Sequence, residues 1–202
     1  MLGQPLHGCK EVEMRIVLAS KSPRRKELLG RIFDSFEIIS KEVDESLSDS
    51  VSPERGVELL AIRKGAAVVG EVGDDVLVIS SDTLVELDGI PLGKPSDAAD
   101  AYRMLRALSG RQHNVHTGVA VHYRGRCASG VDTTRVFFKE MSDGDIDAYI
   151  ATGEPMDKAG AYGIQGIGGR FVEKYEGNYD TVVGLSLSLL RELIESATEV
   201  RE

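Results

Sequence analysis

Six charged side chains, scattered from position 24 to position 94 of the sequence, are the groups most able to do chemistry here. Arg24 and Arg25 sit in Leu18-Ala-Ser-Lys-Ser-Pro-Arg-Arg-Lys-Glu-Leu-Leu29. Ser22 reads as a helix N-cap with Pro23 at the first helical position, where its missing N–H does no harm. On a helical wheel Leu28, Leu29 and Ile32 form the buried stripe, with Arg25 in its middle and Arg24 on its edge. Unpaired backbone N–H groups, the positive end of a helix dipole and two guanidinium groups then converge where an anion, most naturally phosphate, would sit. An ordinary basic helix start paired with nearby acids fits the same stretch. Lys64 projects from the centre of an apolar face made by Val57, Leu60, Ala61, Ala67 and Val68, so it must snorkel to an edge or line a polar cleft. Asp82 follows the apolar run Val76-Leu-Val-Ile-Ser-Ser81 and is expected just past the end of a central strand, the usual place for α/β chemistry. Glu45 and Lys94 complete the set. Cations neutralise phosphate oxygens, and carboxylates hold a hard divalent ion and activate water. Together these are the ingredients of a phosphoanhydride or phosphoester hydrolase, with no Walker or dinucleotide-binding fingerprint present.

The elements that must position these groups follow from periodicity and turn signals. Arg15–Ala19 is a short strand before the first helix, and Phe36–Ser40 alternates like a second. The serine-rich stretch Ser46–Pro53 reads as a lid or as a plain surface connection. A helix is expected from Pro53 to about Val69, then the buried strand Val76–Ser81. A hairpin over Leu84–Leu92 turns at Asp88-Gly89. Next comes a helix capped by Ser96 and stopped by Gly110. Two long strands, His113–His122 and Asp132–Phe138, are joined through Arg124-Gly-Arg126. The spacing of His113, His116 and His122 is not that of a same-face ligand set, which favours structural roles. A short helix begins at Ser142, and Gly160-Ala-Tyr-Gly-Ile-Gln-Gly166 forms a glycine-rich loop. That loop is either a tight crossover or a device that presents Gln165 to a planar ligand edge. A leucine-rich helix, Leu187–Ala197, closes the chain. Strict βαβ alternation is absent, so the fold expected is α/β with a mixed, twisted sheet, flanking helices and a cleft between two lobes.

Composition narrows the function further. A chain of 202 residues with 42 % hydrophobic content can bury a sizeable core. A formal net charge of −9 argues against a binder of nucleic-acid polymers or membrane surfaces, so a polyanion must be drawn in by local cations. Two cysteines, Cys9 and Cys127, are too few for a disulfide framework and point to the cytoplasm. Residues 1–14 read as an extension to a single two-lobed domain over 15–202.

Seven stretches stand out together: Leu18–Leu29, Val43-Asp-Glu45, Ser81-Asp-Thr83, Gly93-Lys-Pro95, Leu108-Ser-Gly110 with His116-Thr-Gly118, Gly153-Glu-Pro-Met-Asp-Lys-Ala-Gly-Ala-Tyr-Gly-Ile-Gln165 and Val183-Gly-Leu185. In these the chain resembles the Maf family, known also as septum formation proteins and nucleoside triphosphate pyrophosphatases. Thr181 stands where the family often has Asn, and Ser186 where it usually has Pro. The resemblance implies an inosine-triphosphatase-like fold, commonly a homodimer, that cleaves a nucleoside triphosphate to the monophosphate and pyrophosphate with Mg²⁺ or Mn²⁺. By position, Asp82 corresponds to the proton acceptor, and Ser20, Arg25, Lys64 and Lys94 to phosphate-side residues. Arg24, Thr83 and Gln165 match the branch acting on dTTP and UTP, and Glu45 with Asp82 would hold the metal. A nucleotide-binding regulator of cell division without essential turnover, or a house-cleaning hydrolase of other modified nucleotides, is the alternative.

Overall fold

The computed structural model describes residues 14–48 and 50–199. The extension expected over 1–14 lies, apart from Met14, outside the described residues, as does Cys9. One sheet organises the chain. Its strands are β1 (Ile16–Leu18), β2 (Glu37–Ile38), β3 (Leu77–Leu87), β4 (Ile90–Leu92), β5 (Gln112–Tyr123), β6 (Arg126–Phe138) and β7 (Val172–Glu176). Their order is β2-β1-β3-β5-β6-β7, with β4 also on β3. β1 is parallel to β2 and β3, and the other pairings are antiparallel, so the sheet is mixed as expected. Among the described residues no helix is long and apolar enough to cross a membrane.

The expectation that a strand ends at Ser81 is wrong, and the reason locates the site. β3 runs unbroken for 11 residues through Asp82 and Thr83. Its backbone is satisfied on one side by β5, from Val78 opposite His122 to Glu86 opposite Asn114, so polar side chains in mid-strand do not interrupt it. On its other side β1 pairs only with Leu77–Ile79 and β4 only with Val85–Leu87. Between them, Ser80–Leu84 meets no strand among the described residues. Asp82 thus lies past the end of β1 rather than of β3, in a gap in the sheet. The hairpin from β3 to β4 turns as expected at Asp88 and Gly89, both at positive φ (53° and 78°).

Helices cover both faces: α1 (Pro23–Leu29), α2 (Pro53–Val72), α3 (Ala98–Leu108), α4 (Asp143–Ile150), α5 (Tyr179–Val183) and α6 (Leu187–Thr198). α2 lies on β3 and β5, and α6 on the opposite face of β5 and β6. Two glycines set how closely α2 approaches. A Cβ on Gly118 of β5 would stand 2.3 Å from the Val57 carbonyl oxygen, and one on Gly65 of α2 would stand 2.5 Å from the His122 ring. α1 is capped by Ser22 as expected but ends at Leu29, so Ile32 packs from the loop beyond it. Leu28 and Leu29 are fully buried against Leu18, Ile79 and Leu185, a contribution of about 1.5–3 kcal/mol each. α3 is capped by Asp97 rather than Ser96, because the Asp97 carboxylate accepts the Asp100 N–H at 2.8 Å. A second core gathers Met104, Leu105, Phe138, Tyr149, Tyr162 and Phe171 beneath α3 and α4.

Candidate functional site

A cavity of about 890 Å³ opens at the gap in β3. Ser20, Arg24, Arg25, Glu45, Lys64, Asp82, Thr83, Lys94 and Gln165, the residues singled out from sequence, all line it. Alternation along β3 sends Asp82 to the face covered by α2 and Thr83 to the face carrying α1 and α5, so the cavity has two chemically distinct corners.

The first corner is built on Arg25. Ser22 accepts the Arg25 backbone N–H at 3.5 Å, starting the helix and aiming the side chain along the sheet. The guanidinium then donates to three neutral acceptors: Nε to the Gly184 carbonyl at 2.8 Å, and its terminal nitrogens to Ser20 Oγ at 3.3 Å and Thr83 Oγ1 at 3.1 Å. Thr83 in turn meets Thr117 at 3.0 Å, and Thr117 donates to the Thr181 carbonyl at 2.7 Å. Burial pulls the Arg25 pKa below its ordinary value and Arg24 pulls the same way, while Asp82 and Glu45 oppose. Guanidinium remains charged in proteins, so this corner presents a fixed positive charge with no carboxylate bonded to it among the described residues. Gly184, at φ +124°, bends the chain so that its carbonyl can reach Arg25. The two departures from the family pattern converge behind it. Thr181 and Ser186 both donate to Asp132 Oδ2, at 2.7 and 2.5 Å, with Asn178 at 2.7 Å. Ser186 also caps α6. Burial raises the Asp132 pKa, but these hydrogen bonds outweigh it and hold the carboxyl below its usual range.

The second corner is an ion triad. Lys64 Nζ stands 2.6 Å from Asp82 Oδ1 and 2.7 Å from Glu45 Oε1, so Lys64 lines a cleft and does not snorkel. The side chains of Lys64 and Asp82 are 19 % and 16 % exposed while Glu45 is 61 % exposed, which leaves one edge of the triad open to the cavity. Arg63, one residue earlier on α2, donates to the carbonyls of Asp44 at 3.0 Å and Ser46 at 2.8 Å, gripping the chain on both sides of Glu45. The Asp44 carboxylate accepts the Ser46 N–H at 2.9 Å and tightens the same turn. Among the described residues no three His, Cys, Asp or Glu side chains are arranged to hold a metal ion. Two hard carboxylates facing a cavity suit Mg²⁺ or Mn²⁺ all the same, because such ions take most of their ligands from phosphate oxygens and water.

Arg24 and Lys94 line the cavity with more exposure to solvent than Ser20, and Gln165 stands exposed at the tip of its loop. Sequence reasoning missed Glu154, Asp157, Lys158 and Tyr162, which line the cavity as well. The available signal was a run of charged residues immediately before the glycine-rich loop. A hydrogen bond from Lys158, at 2.6 Å, is the main cause holding the Asp157 carboxyl below its usual range, and the field of Arg24 adds to it. The histidines have structural partners: His113 meets Tyr162 OH at 2.8 Å, His116 meets Glu86 at 3.0 Å and Thr133 at 2.8 Å, and His122 packs against Gly65.

Fold and cavity together define a class, α/β proteins with an anion-receptive cleft where neighbouring strands of a mixed sheet part. The family model described as Maf-like protein matches residues 15–197, and the chain belongs to this family. It is 51 % identical over 173 residues to a Vibrio cholerae serotype O1 protein named dTTP/UTP pyrophosphatase, covering 86 % of this chain and 92 % of that one. A Thermococcus onnurineus protein of the same name is 49 % identical over 180 residues, covering 89 % and 96 %. Among solved structures, the Staphylococcus aureus Ham1 protein is similar at 20 % identity and a TM-score of 0.48, over 90 % of this chain and 98 % of that one.

Proposed function

We propose that this protein is a nucleoside triphosphate pyrophosphatase that hydrolyses dTTP and UTP to the monophosphate and pyrophosphate. The observation that carries the reading is the cavity itself: in a chain of net charge −9, Arg24, Arg25, Lys64 and Lys94 are gathered around Asp82 and Glu45 in one space. The names of the relatives supply the reaction and the bases.

In this reading Arg25, Lys64 and Lys94 bind the triphosphate and neutralise charge that builds on the leaving pyrophosphate. Lys64 holds Asp82 by Oδ1, so Oδ2 is the oxygen that takes a proton from water as that water attacks the α-phosphorus. The bond from the α-phosphorus to the bridging oxygen breaks, and pyrophosphate departs. Glu45 and Asp82 would hold Mg²⁺ or Mn²⁺, which when bound neutralises phosphate oxygens and orients the triphosphate. Ser20 and Thr83 fix Arg25 at the phosphate side. Arg24 steers the nucleotide, and the Gln165 amide offers a donor and an acceptor to the uracil or thymine edge.

The test is a product analysis with UTP, dTTP, CTP, GTP, 5-methyl-UTP, pseudo-UTP and 7-methyl-GTP in Mg²⁺ or Mn²⁺. One pyrophosphate per UMP or dTMP, with the uracil and thymine nucleotides preferred, is the expected result. Orthophosphate with UDP, or saturable UTP binding without turnover, would overturn it; the latter would identify a nucleotide-binding regulator.

A further inference from the structure

The glycine-rich loop that carries Gln165 is seated on three side chains, and one carboxylate does most of the holding. Glu154 Oε2 accepts the Ile167 N–H at 2.9 Å, while its Oε1 accepts the Gly168 N–H at 3.1 Å and Tyr149 OH at 2.8 Å. Tyr149 OH also accepts the Gly163 N–H at 3.3 Å, so both ends of the loop are tied to one Glu–Tyr pair. The glycines are where the contacts require them. A Cβ would lie 2.8 Å from Lys158 Cε at Gly163, 2.5 Å from Glu154 Oε1 at Gly166 and 2.4 Å from Tyr149 OH at Gly168. Lys158 caps the Glu154 carbonyl at 2.7 Å, fixing the backbone from which that carboxylate projects. Gln165, between these anchors, has its backbone position set while its side chain stays exposed over the cavity.

The geometry points to Glu154 as a specificity-determining positioning residue, which fixes the height and angle of the loop so that Gln165 meets the base edge. This inference rests on the reading of Gln165 given above. Discrimination between bases depends on donors and acceptors held in register, and a loop released by a fraction of an ångström loses it while phosphate binding survives. Arg25, Lys64 and Lys94 are attached to other elements, α1, α2 and the segment after β4, so the two functions are separable.

The experiment compares wild type with E154Q, whose amide must turn an N–H toward a backbone N–H, and with Y149F, which keeps the ring and removes the shared hydroxyl. For each, kcat/KM is measured on UTP, CTP and GTP, and inorganic tripolyphosphate is used as a competitive inhibitor that has no base. Preference for UTP should fall about tenfold or more in E154Q and about threefold in Y149F. Inhibition by tripolyphosphate should stay within about threefold, and amide exchange at Ile167 and Gly168 should quicken in E154Q. Unchanged preference in the folded variants overturns the proposal. So does a loss of tripolyphosphate inhibition in step with UTP, which would mean that Glu154 supports the whole site. A wild-type protein with no preference for UTP or dTTP would instead remove the reading on which the proposal stands. If E154Q does not fold, Y149F alone decides.

Discussion

The two corners of the cavity hold their positive charges by opposite means. Arg25 is bonded to a carbonyl and two hydroxyls, with no acid attached among the described residues; Thr83 is in mid-strand, Gly184 in a turn, and Ser20 in the short link from β1 to α1. Lys64 is bonded to two acids, one of them on an irregular segment with its side chain 61 % exposed. A charge satisfied by neutral dipoles keeps its full field for an incoming anion and costs little reorganisation when the anion arrives. A charge already paired with carboxylates must share them, so this corner can rearrange as substrate enters. The lesson is a division of labour: a rigid anion site beside an exchangeable acid site.

The sharpest way to break this contrast is D82N. It keeps the shape of the acid corner and removes the proton acceptor, so turnover should fall by about 100-fold or more, read from initial rates of pyrophosphate release at saturating substrate and metal. Near-normal turnover would mean that the acid corner is not the chemical one. R25K comes next. A lysine cannot bond Gly184, Ser20 and Thr83 at once, so kcat/KM should fall at least about tenfold although the charge is kept. If K64R costs more than R25K, the rigid corner has been assigned to the wrong side. R63A probes the exposed acid. Freeing the chain on both sides of Glu45 should raise the Mn²⁺ concentration needed for half-maximal binding, measured by titration calorimetry with a non-hydrolysable UTP analogue, by about tenfold or less.

The smallest effect concerns the scaffold beneath both corners. Burial pulls the His113 pKa down to about 3. The unfolded chain therefore takes up a proton near pH 6.5 that the folded chain refuses, and stability falls as pH drops from about 6.5 toward 3. The unfolding midpoint should decline by about 4 °C per pH unit in that window, and H113Q should show a flatter acid limb. Acid loss of activity that persists in H113Q then belongs to the site.

Local signals made much of this legible. Ser-Pro before Arg24 and Arg25 announced a capped helix start, and Asp88-Gly89 announced its turn, because both depend on residues adjacent in the chain. Lys64 stood out since an ammonium on an apolar face needs an explanation, and Asp82 and Glu45 supply it. The end of the strand at Ser81 was misread for a physical reason: whether a polar residue in mid-strand is tolerated depends on the neighbouring strand, here β5. Glu154 escaped notice because its carboxylate bonds backbone N–H groups 13 and 14 residues away, and those bonds have no pattern of residue types.

By itself the amino-acid order determined the alternating periods, the caps and turns, the excess of acid and the identity of every charged group around the cavity, since these are properties of single residues and their near neighbours. The tertiary structure alone decided that β1 and β4 leave Ser80–Leu84 without a strand on one side, that Arg25 bonds only neutral groups among the described residues and that Lys64 bonds two acids. Pairing, spacing and burial belong to segments far apart in the chain, and only packing brings those segments within a hydrogen bond of each other.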